Sequence, residues 1–488
     1  MSLIDGRRSY VAGRWVEPET TFAVESPADE TTVADAGVTP IAEVGRAIAE
    51  ARRSFDEGDW AGLAADERAR RLHAFLDHVD ANREDLIETM MAEAGQPRGY
   101  AERAQMTMGM DLARSTIDLY LSMSHEESNP VPVDELVTNR VALSIRRHEP
   151  VGVVSAITPY NGAIIMAFQK LLPALMAGNS VILRPSPLTP LSSLVFGGAA
   201  DAAELPAGVL SVVVDDGSAA AELLTTDPAI DMISFTGSTA VGRLILAQAA
   251  PTVKRVSLEL GGKSAQIYLD DAVEHAGLGA MIVVAMTSGQ ACVAATRMLV
   301  PQDRKDEVVQ SVSTMYGNLT VGDPTDPSTL IGPLINSAAR ERCERYVALA
   351  EEHGGKVAFG GGRPVGLDRG YYFEPTVIDV PDNTNPAARD EIFGPILSII
   401  GYADIDDAVR IANDSPYGLS AQVYGADVAA ATAIARRLRA GAVNVNTSVF
   451  SAYAPGGGYK QSGLGRERGP EGIREFQEVK HLVIGDLK

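Results

Sequence analysis

Apolar residues recur along this chain with two different periods. Val44, Ile48, Ala51 and Phe55, and then Leu72, Phe75, Leu76 and Val79, stand three or four positions apart and share a helical face. Pro40 suits a helix first turn, where its missing N–H costs nothing. These stripes read as core-facing surfaces, and a short strand at 10–16 precedes them. From residue 151 the pattern changes. The unbroken apolar run 151–157 reads as a strand buried on both faces, as in a parallel sheet. Further strands follow at 180–183, 209–214, 232–235 and 253–260, separated by helical stretches from Ala163 and at 191–203, 218–224 and 239–249. Such alternation predicts a doubly wound sheet, whose ligands sit beyond the carboxyl ends of its strands. A second block alternates in the same way, with strands at 265–269, 298–301, 395–402, 421–424 and 442–446.

The expected fold class is therefore α/β, with two doubly wound Rossmann-like domains. The expected organisation is a dinucleotide-binding domain over 1–130 and 149–259 and a catalytic domain over 260–455. Residues 131–148 and 456–488 are assigned to a small β extension. Its candidate strands, 136–148 and 478–484, read equally as an arm reaching a neighbouring subunit and as a surface hairpin.

Composition narrows the function. A chain of 488 residues with 45% hydrophobic and 22% charged positions can bury more than one core. The net charge of −22 repels phosphate backbones and anionic membrane surfaces, so neither nucleic acid nor membrane is expected as a partner. The two cysteines, Cys292 and Cys343, support neither a disulfide framework nor a zinc cluster, and no metal is expected. No apolar leader segment is visible at the N-terminus, and the stretch 164–183 is broken by Gln169, Lys170, Pro173, Gly178 and Asn179. A cytoplasmic location is expected.

Four segments carry candidate chemistry. Phe235-Thr-Gly-Ser-Thr239 joins a strand to a helix, which puts free N–H groups where a pyrophosphate can sit or simply makes a capped turn. Glu259 ends a buried strand at the ligand edge of the sheet, as a general base or as a structural carboxylate. Cys292, on the glycine-containing loop Ser288-Gly-Gln-Ala-Cys292, reads as a nucleophile if neighbours favour its thiolate, otherwise as an inert thiol. Asn161, in Thr158-Pro-Tyr-Asn161, can donate its amide to an oxyanion or cap the next helix. Cys343, in a charged helical run, receives no role.

Taken in order, these segments resemble the aldehyde dehydrogenase superfamily. Arg184-Pro-Ser-Pro187, Glu259-Leu-Gly-Gly-Lys-Ser264, Glu391-Ile-Phe-Gly-Pro395 and Gly457-Gly-Tyr-Lys-Gln-Ser-Gly463 complete the series over nearly the whole chain. The resemblance implies that Cys292 is the nucleophile and Glu259 the general base. It makes Asn161 the oxyanion donor, joined by the Cys292 backbone N–H, and Lys170 and Glu467 a proton-relay pair. It places Ile157, Thr158, Pro159, Arg184, Ser186, Gly217, Phe235, Gly237, Ser238, Gly242, Leu260, Glu391 and Phe393 at an NAD or NADP cofactor. It places Gly162, Met166, Gln169, Ala291, Val293, Phe450 and Gly456 along the tunnel of an aldehyde substrate, and it implies a homodimer or homotetramer.

Departures from the family pattern sharpen these expectations. Arg184 stands where the family usually has Lys, and Pro187 where many NAD-preferring members have Glu. Gly162 and Gly456 stand where many members carry a large aromatic. That predicts a wide tunnel for a bulky aromatic or terpenoid-like aldehyde, unless Tyr160, Phe168 or Phe450 refills the space. Two rival functions remain: a CoA-acylating relative, whose members generally lack the Glu259 carboxylate, and a non-enzymatic binding protein on the same fold.

Overall fold

Two parallel sheets organise the protein. The computed structural model describes residues 7–129, 143–217 and 219–485, with the backbone alone at 133–134 and 140–142. The helix start expected at Ser218, the first six residues and most of 131–139 lie outside the described residues. The first sheet runs, edge to edge, Arg14–Val16, Ser9–Val11, Leu210–Val212, Ser180–Arg184, Val153–Ile157, Met232–Thr236, Arg255–Glu259 and Gly463–Leu464. Its five central strands are mutually parallel. Four of them, from Ser180–Arg184 to Met232–Thr236 and including Leu210–Val212, are buried at every position. This explains why they read as continuous apolar runs and not as alternations.

The second sheet is ordered Lys356–Phe359, Thr376–Asp379, Ile396–Tyr402, Arg297–Pro301, Ala265–Tyr268, Ser420–Tyr424 and Ala442–Val445, parallel apart from its first strand. A third, antiparallel sheet pairs Gln477–Gly485 with Arg140–Pro150 across nine residue pairs, so the two expected extension strands do meet. Val479, Val483 and Ile484 lie exposed on it.

Three elements depart from the sequence reading. The N-terminal region carries a hairpin, Thr20–Glu25 with Thr32–Val38, ahead of its helices. Within the C-terminal segment, Gly463–Leu464 joins the first sheet by pairing antiparallel with the end of Arg255–Glu259, while Tyr459–Lys460 pairs with Tyr417–Gly418. The segment Ala101–Met108 is a π-helix running into the α-helix Gly109–Ser122. π-helical turns are rare and concentrate at functional sites.

The helical stripes bury as their period requires: Leu72, Phe75, Leu76 and Val79 are all fully enclosed. The helix Ala163–Ala177 is buried on nearly every side, ends at Gly178 in the left-handed region, and carries Lys170 into the interior. Among the described residues no helix is long and apolar enough to cross a membrane.

Candidate active site

Glu259 is the last residue of its strand, and the loop that follows turns back against the cysteine loop. A Cβ on Gly262 would lie 2.7 Å from the Cys292 carbonyl oxygen, so only glycine permits this approach. The cysteine loop itself is held by backbone in uncommon territory. Thr287 (φ 42°) and Ser288 (φ 57°) both adopt positive φ, a conformation that costs non-glycine residues energy and clusters at working sites. Gln290 anchors the loop from within. Its side-chain oxygen accepts from Tyr160 Oη at 3.1 Å and from the Ile335 N–H at 3.0 Å, and its amide donates to the Thr287 carbonyl at 3.1 Å.

Asn161 is fixed at both ends. Its side-chain Nδ2 donates to the Gln290 carbonyl at 2.7 Å. Its own carbonyl accepts from Gln96 Nε2 and from Gln105 Nε2, each at 3.0 Å. One amide N–H is thereby committed and orients the other.

Two cavities meet at Asn161, Thr236, Glu259 and Cys292, which line both. One, of about 460 Å³, lies along the carboxyl ends of the first sheet's strands. All the residues expected at a cofactor line it except Gly217 and Gly242. Gly242 instead packs beneath Leu260, where a Cβ would lie 2.7 Å from the leucine side chain, and Gly217 stands beside Pro187. Ser238 caps the helix Thr239–Ala249 by accepting from the Val241 N–H. Arg184 gives Nε and Nη2 to Asp215 Oδ1, at 3.0 and 2.6 Å. Glu391 accepts from the Gly262 N–H at 3.1 Å. Arg342, not singled out from the sequence, also lines the cavity and donates to the Ile392 carbonyl at 2.6 Å, steadying the backbone that presents Glu391 and Phe393. Among the described residues the buried hydroxyls of Thr158 and Thr236 have no hydrogen-bond partner, and both line this cleft.

The second cavity, of about 260 Å³, is walled mainly by apolar side chains. Gly162, Met166, Gln169, Ala291, Val293, Phe450 and Gly456 all line it. So do Tyr100, Ala104 and Met108 from the π-helical region, and Arg468, none of which the sequence pattern marked. The room left by the two glycines is partly taken. Met166 Cγ lies 2.7 Å from where a Cβ on Gly162 would be, and a Cβ on Gly456 would overlap the Arg468 guanidinium. Of the three rings considered as fillers, only Phe450 lines this cavity, while Tyr160 faces the other.

The electrostatics fit acid–base work. Burial, then the charge of Glu467, raises Glu259 well above the usual carboxylate range, against an opposing pull from Lys170. Glu259 Oε1 is buried without a hydrogen-bond partner among the described residues. Burial, with the nearby acids Glu259, Glu391 and Glu467, pushes the Cys292 thiol up to about 12. The resting sulfur is therefore a thiol, partly exposed to the cavities. Lys170 Nζ donates to Glu467 Oε1 at 2.6 Å and to Ser234 Oγ at 3.2 Å. Cys343 is fully buried beneath Gly394, away from both cavities.

Known proteins resemble this chain over almost its whole length. A sequence model of the Aldehyde dehydrogenase family matches residues 15–482. Geranial dehydrogenase of Castellaniella defragrans is 37% identical over 484 residues, covering 99% of each chain. Aldehyde dehydrogenase C of Pseudomonas syringae, solved as a mutant with NAD+ and octanal, superposes with a TM-score of 0.92 at 37% identity, covering 98% of this chain and 96% of that one. Betaine aldehyde dehydrogenase of Staphylococcus aureus with NAD+ superposes with a TM-score of 0.94 at 32% identity, covering 99% and 96%.

Proposed function

The chain belongs to the aldehyde dehydrogenase family, and from that premise we propose that it oxidises an aldehyde to the carboxylic acid, with water as the final acyl acceptor, through a thioester on Cys292. The observation that carries this reading is the convergence of Cys292, Glu259 and Asn161 at the junction of two cavities, one along the carboxyl ends of the first sheet's strands and one walled mainly by apolar side chains.

A bound nicotinamide dinucleotide supplies the hydride acceptor. The chain supplies the rest. Cys292 loses its proton to Glu259, the basic group of the same cavity, and its sulfur adds to the aldehyde carbon. The carbonyl π electrons move to oxygen, where the second N–H of Asn161 and the Cys292 backbone N–H stabilise the charge; one such donor is worth about 3–4 kcal/mol. Loss of hydride from that carbon leaves a thioester. The Lys170–Glu467 pair carries the cysteine proton from Glu259 away from the cavity, which leaves Glu259 ionised again. Glu259 then takes a proton from water, the water oxygen attacks the thioester carbon, and the C–S bond breaks to release the carboxylic acid and the Cys292 thiolate, which recovers a proton. Glu259 favours hydrolysis over transfer to CoA, because an acyl acceptor that arrives as a thiol needs no water-activating base at this point.

NAD is the proposed cofactor, supported by the NAD+ complexes of the solved relatives. The charge of Arg184 is already matched by Asp215, which leaves it less to offer a 2′-phosphate. The substrate is an aldehyde with a sizeable apolar body, an alkyl chain or an aromatic or terpenoid-like group. The apolar wall of the second cavity supports this, as do relatives acting on geranial and binding octanal. The exposed apolar residues of the third sheet support assembly into a homodimer or homotetramer.

A panel of aldehydes run with NAD and with NADP, followed by reduced-nicotinamide absorbance, tests the reading. Octanal and citral should turn over with NAD without added CoA, and Cys292→Ala should abolish turnover while retaining cofactor binding. An absolute requirement for CoA, or full activity in Cys292→Ala, overturns it.

A further inference from the structure

The substrate cavity contains one cation that the mechanism above does not use. Arg468 lines the same wall as Cys292 and Glu259. Its backbone stands at φ 62°, ψ 169°, a sparsely populated region for a residue with a side chain. The guanidinium is directed to the space beside Gly456, where any Cβ would overlap Nη2. Glycine at 456 and arginine at 468 are thus one device: the first makes the room that the second fills.

The guanidinium is poorly satisfied where it lies. It packs over the Phe450 ring at 5.1 Å, and its hydrogen bond to the Ser451 carbonyl is long, at 3.4 Å. Among the described residues it forms no ion pair. The two acids nearest in charge terms are not paired with it. Glu467 is bound by Lys170 at 2.6 Å, and burial raises Glu259 above the usual carboxylate range. The rest of the wall, Ile165, Met166, Met286, Val293 and Leu419 among it, offers no counter-charge. A half-buried cation without an ion pair has room for a counter-charge, and a guanidinium fits a carboxylate with two parallel hydrogen bonds.

We propose that Arg468 is a specificity-determining residue that receives an anionic group on the aldehyde, so that the preferred substrates are oxo acids: an aldehyde at Cys292, an apolar body, and a carboxylate at Arg468. This rests on the proposed oxidation at Cys292 and names the substrate class for it. Enzymes that supply such a substrate produce a terminal aldehyde on a carboxylic acid, and the product is a dicarboxylate.

Hexanal and 6-oxohexanoate differ only by a methyl or a carboxylate at the far end, and their kcat/KM values with NAD provide the test. The native enzyme should prefer 6-oxohexanoate at least tenfold, mostly through KM. Arg468→Met should bring that ratio to about one or below, and Arg468→Lys should restore part of it. Gly456→Ala, which displaces the guanidinium without removing it, should also collapse the ratio. A role limited to general electrostatics near Cys292 would change both substrates equally and leave the ratio intact, which overturns the proposal. Should the Arg468 variants not fold, inhibition of hexanal oxidation by the native enzyme decides: hexanedioate should compete at least tenfold more tightly than hexanoate. Equal inhibition overturns the proposal. Hexanal oxidation that depends on Cys292 but shows no carboxylate preference overturns this inference alone, whereas no NAD reduction with either aldehyde overturns the parent reading as well.

Discussion

Lys170 Nζ donates to Glu467 Oε1 at 2.6 Å, although 297 positions separate the two residues. The first comes from the helix Ala163–Ala177, the second from the C-terminal segment whose strand Gly463–Leu464 forms an edge of the first sheet. Both are buried, so each charge depends on the other for its solvation. Removing one partner strands the other. Lys170→Met or Glu467→Met should cost about 3–5 kcal/mol of stability, while the double variant should cost clearly less than the sum. Denaturant melts of the four proteins check this. Strict additivity would show that the pair is not coupled.

Glu259 ties activity and stability to pH with opposite signs. As the proposed base it must be ionised, and its raised pKa moves the acid limb of kcat above the ordinary Glu value of about 4.3. The folded protein therefore holds a proton that the unfolded chain has already released. Stability falls as pH rises from the unfolded value through the folded one. Glu259→Gln should lose roughly 10²–10⁴ of kcat and its acid limb. It should also gain melting temperature relative to the native enzyme at pH 8 more than at pH 5. A variant with the same pH dependence of stability as the native enzyme contradicts the raised pKa.

Much of the scaffold was legible because its strands are buried on both faces. Runs such as 151–157 admit few alternatives, and the observed strand Val153–Ile157 differs only at its start. Cys292, Glu259 and Asn161 could be singled out because each sits at a strand or loop end, where chemistry-bearing side chains stand out. What escaped lacked a local signature. The π-helix that brings Ala104 and Met108 to the cavity does not follow the 3.6-residue period used to read helices. Gln290 looked like a loop residue, and its role depends on Ile335 and Tyr160, both distant in sequence. Arg342 was masked by its setting in a charged helical run. Glycines 162 and 456 suggested empty space, but what fills space is decided by the neighbours, here Met166 and Arg468.

Cofactor choice should depend on Asp215. Its Oδ1 accepts both Arg184 bonds and its Oδ2 accepts the Ala221 N–H at 3.1 Å. Asp215→Asn keeps an acceptor for the arginine but removes the charge that neutralises it. The ratio of kcat/KM for NADP over NAD should rise about tenfold, the scale of one charge-assisted hydrogen bond. Initial rates with each dinucleotide at saturating aldehyde measure it. An unchanged ratio would mean that Arg184 does not reach the region of the 2′-position.

Gln105 does not line the substrate cavity, yet it holds a residue that does. Gln105 donates to the Asn161 carbonyl at 3.0 Å, and its side-chain oxygen accepts from the Ile165 N–H at 3.3 Å. It is fully buried, and it lies on the π-helix, so the unusual backbone places it. Gln105→Met removes the donor while keeping similar volume, which leaves Asn161 held by Gln96 and by its bond to Gln290. An oxyanion forms only as the aldehyde reacts, so a displaced Asn161 should weaken the transition state and hardly alter substrate binding. The expected result is a kcat lowered roughly tenfold to a hundredfold, with cofactor affinity unchanged and aldehyde KM changed less than threefold. Asn161→Ala should be no worse when combined with Gln105→Met than alone, because the glutamine acts through the asparagine. Full additivity of the two substitutions in kcat would show that Gln105 works by another route.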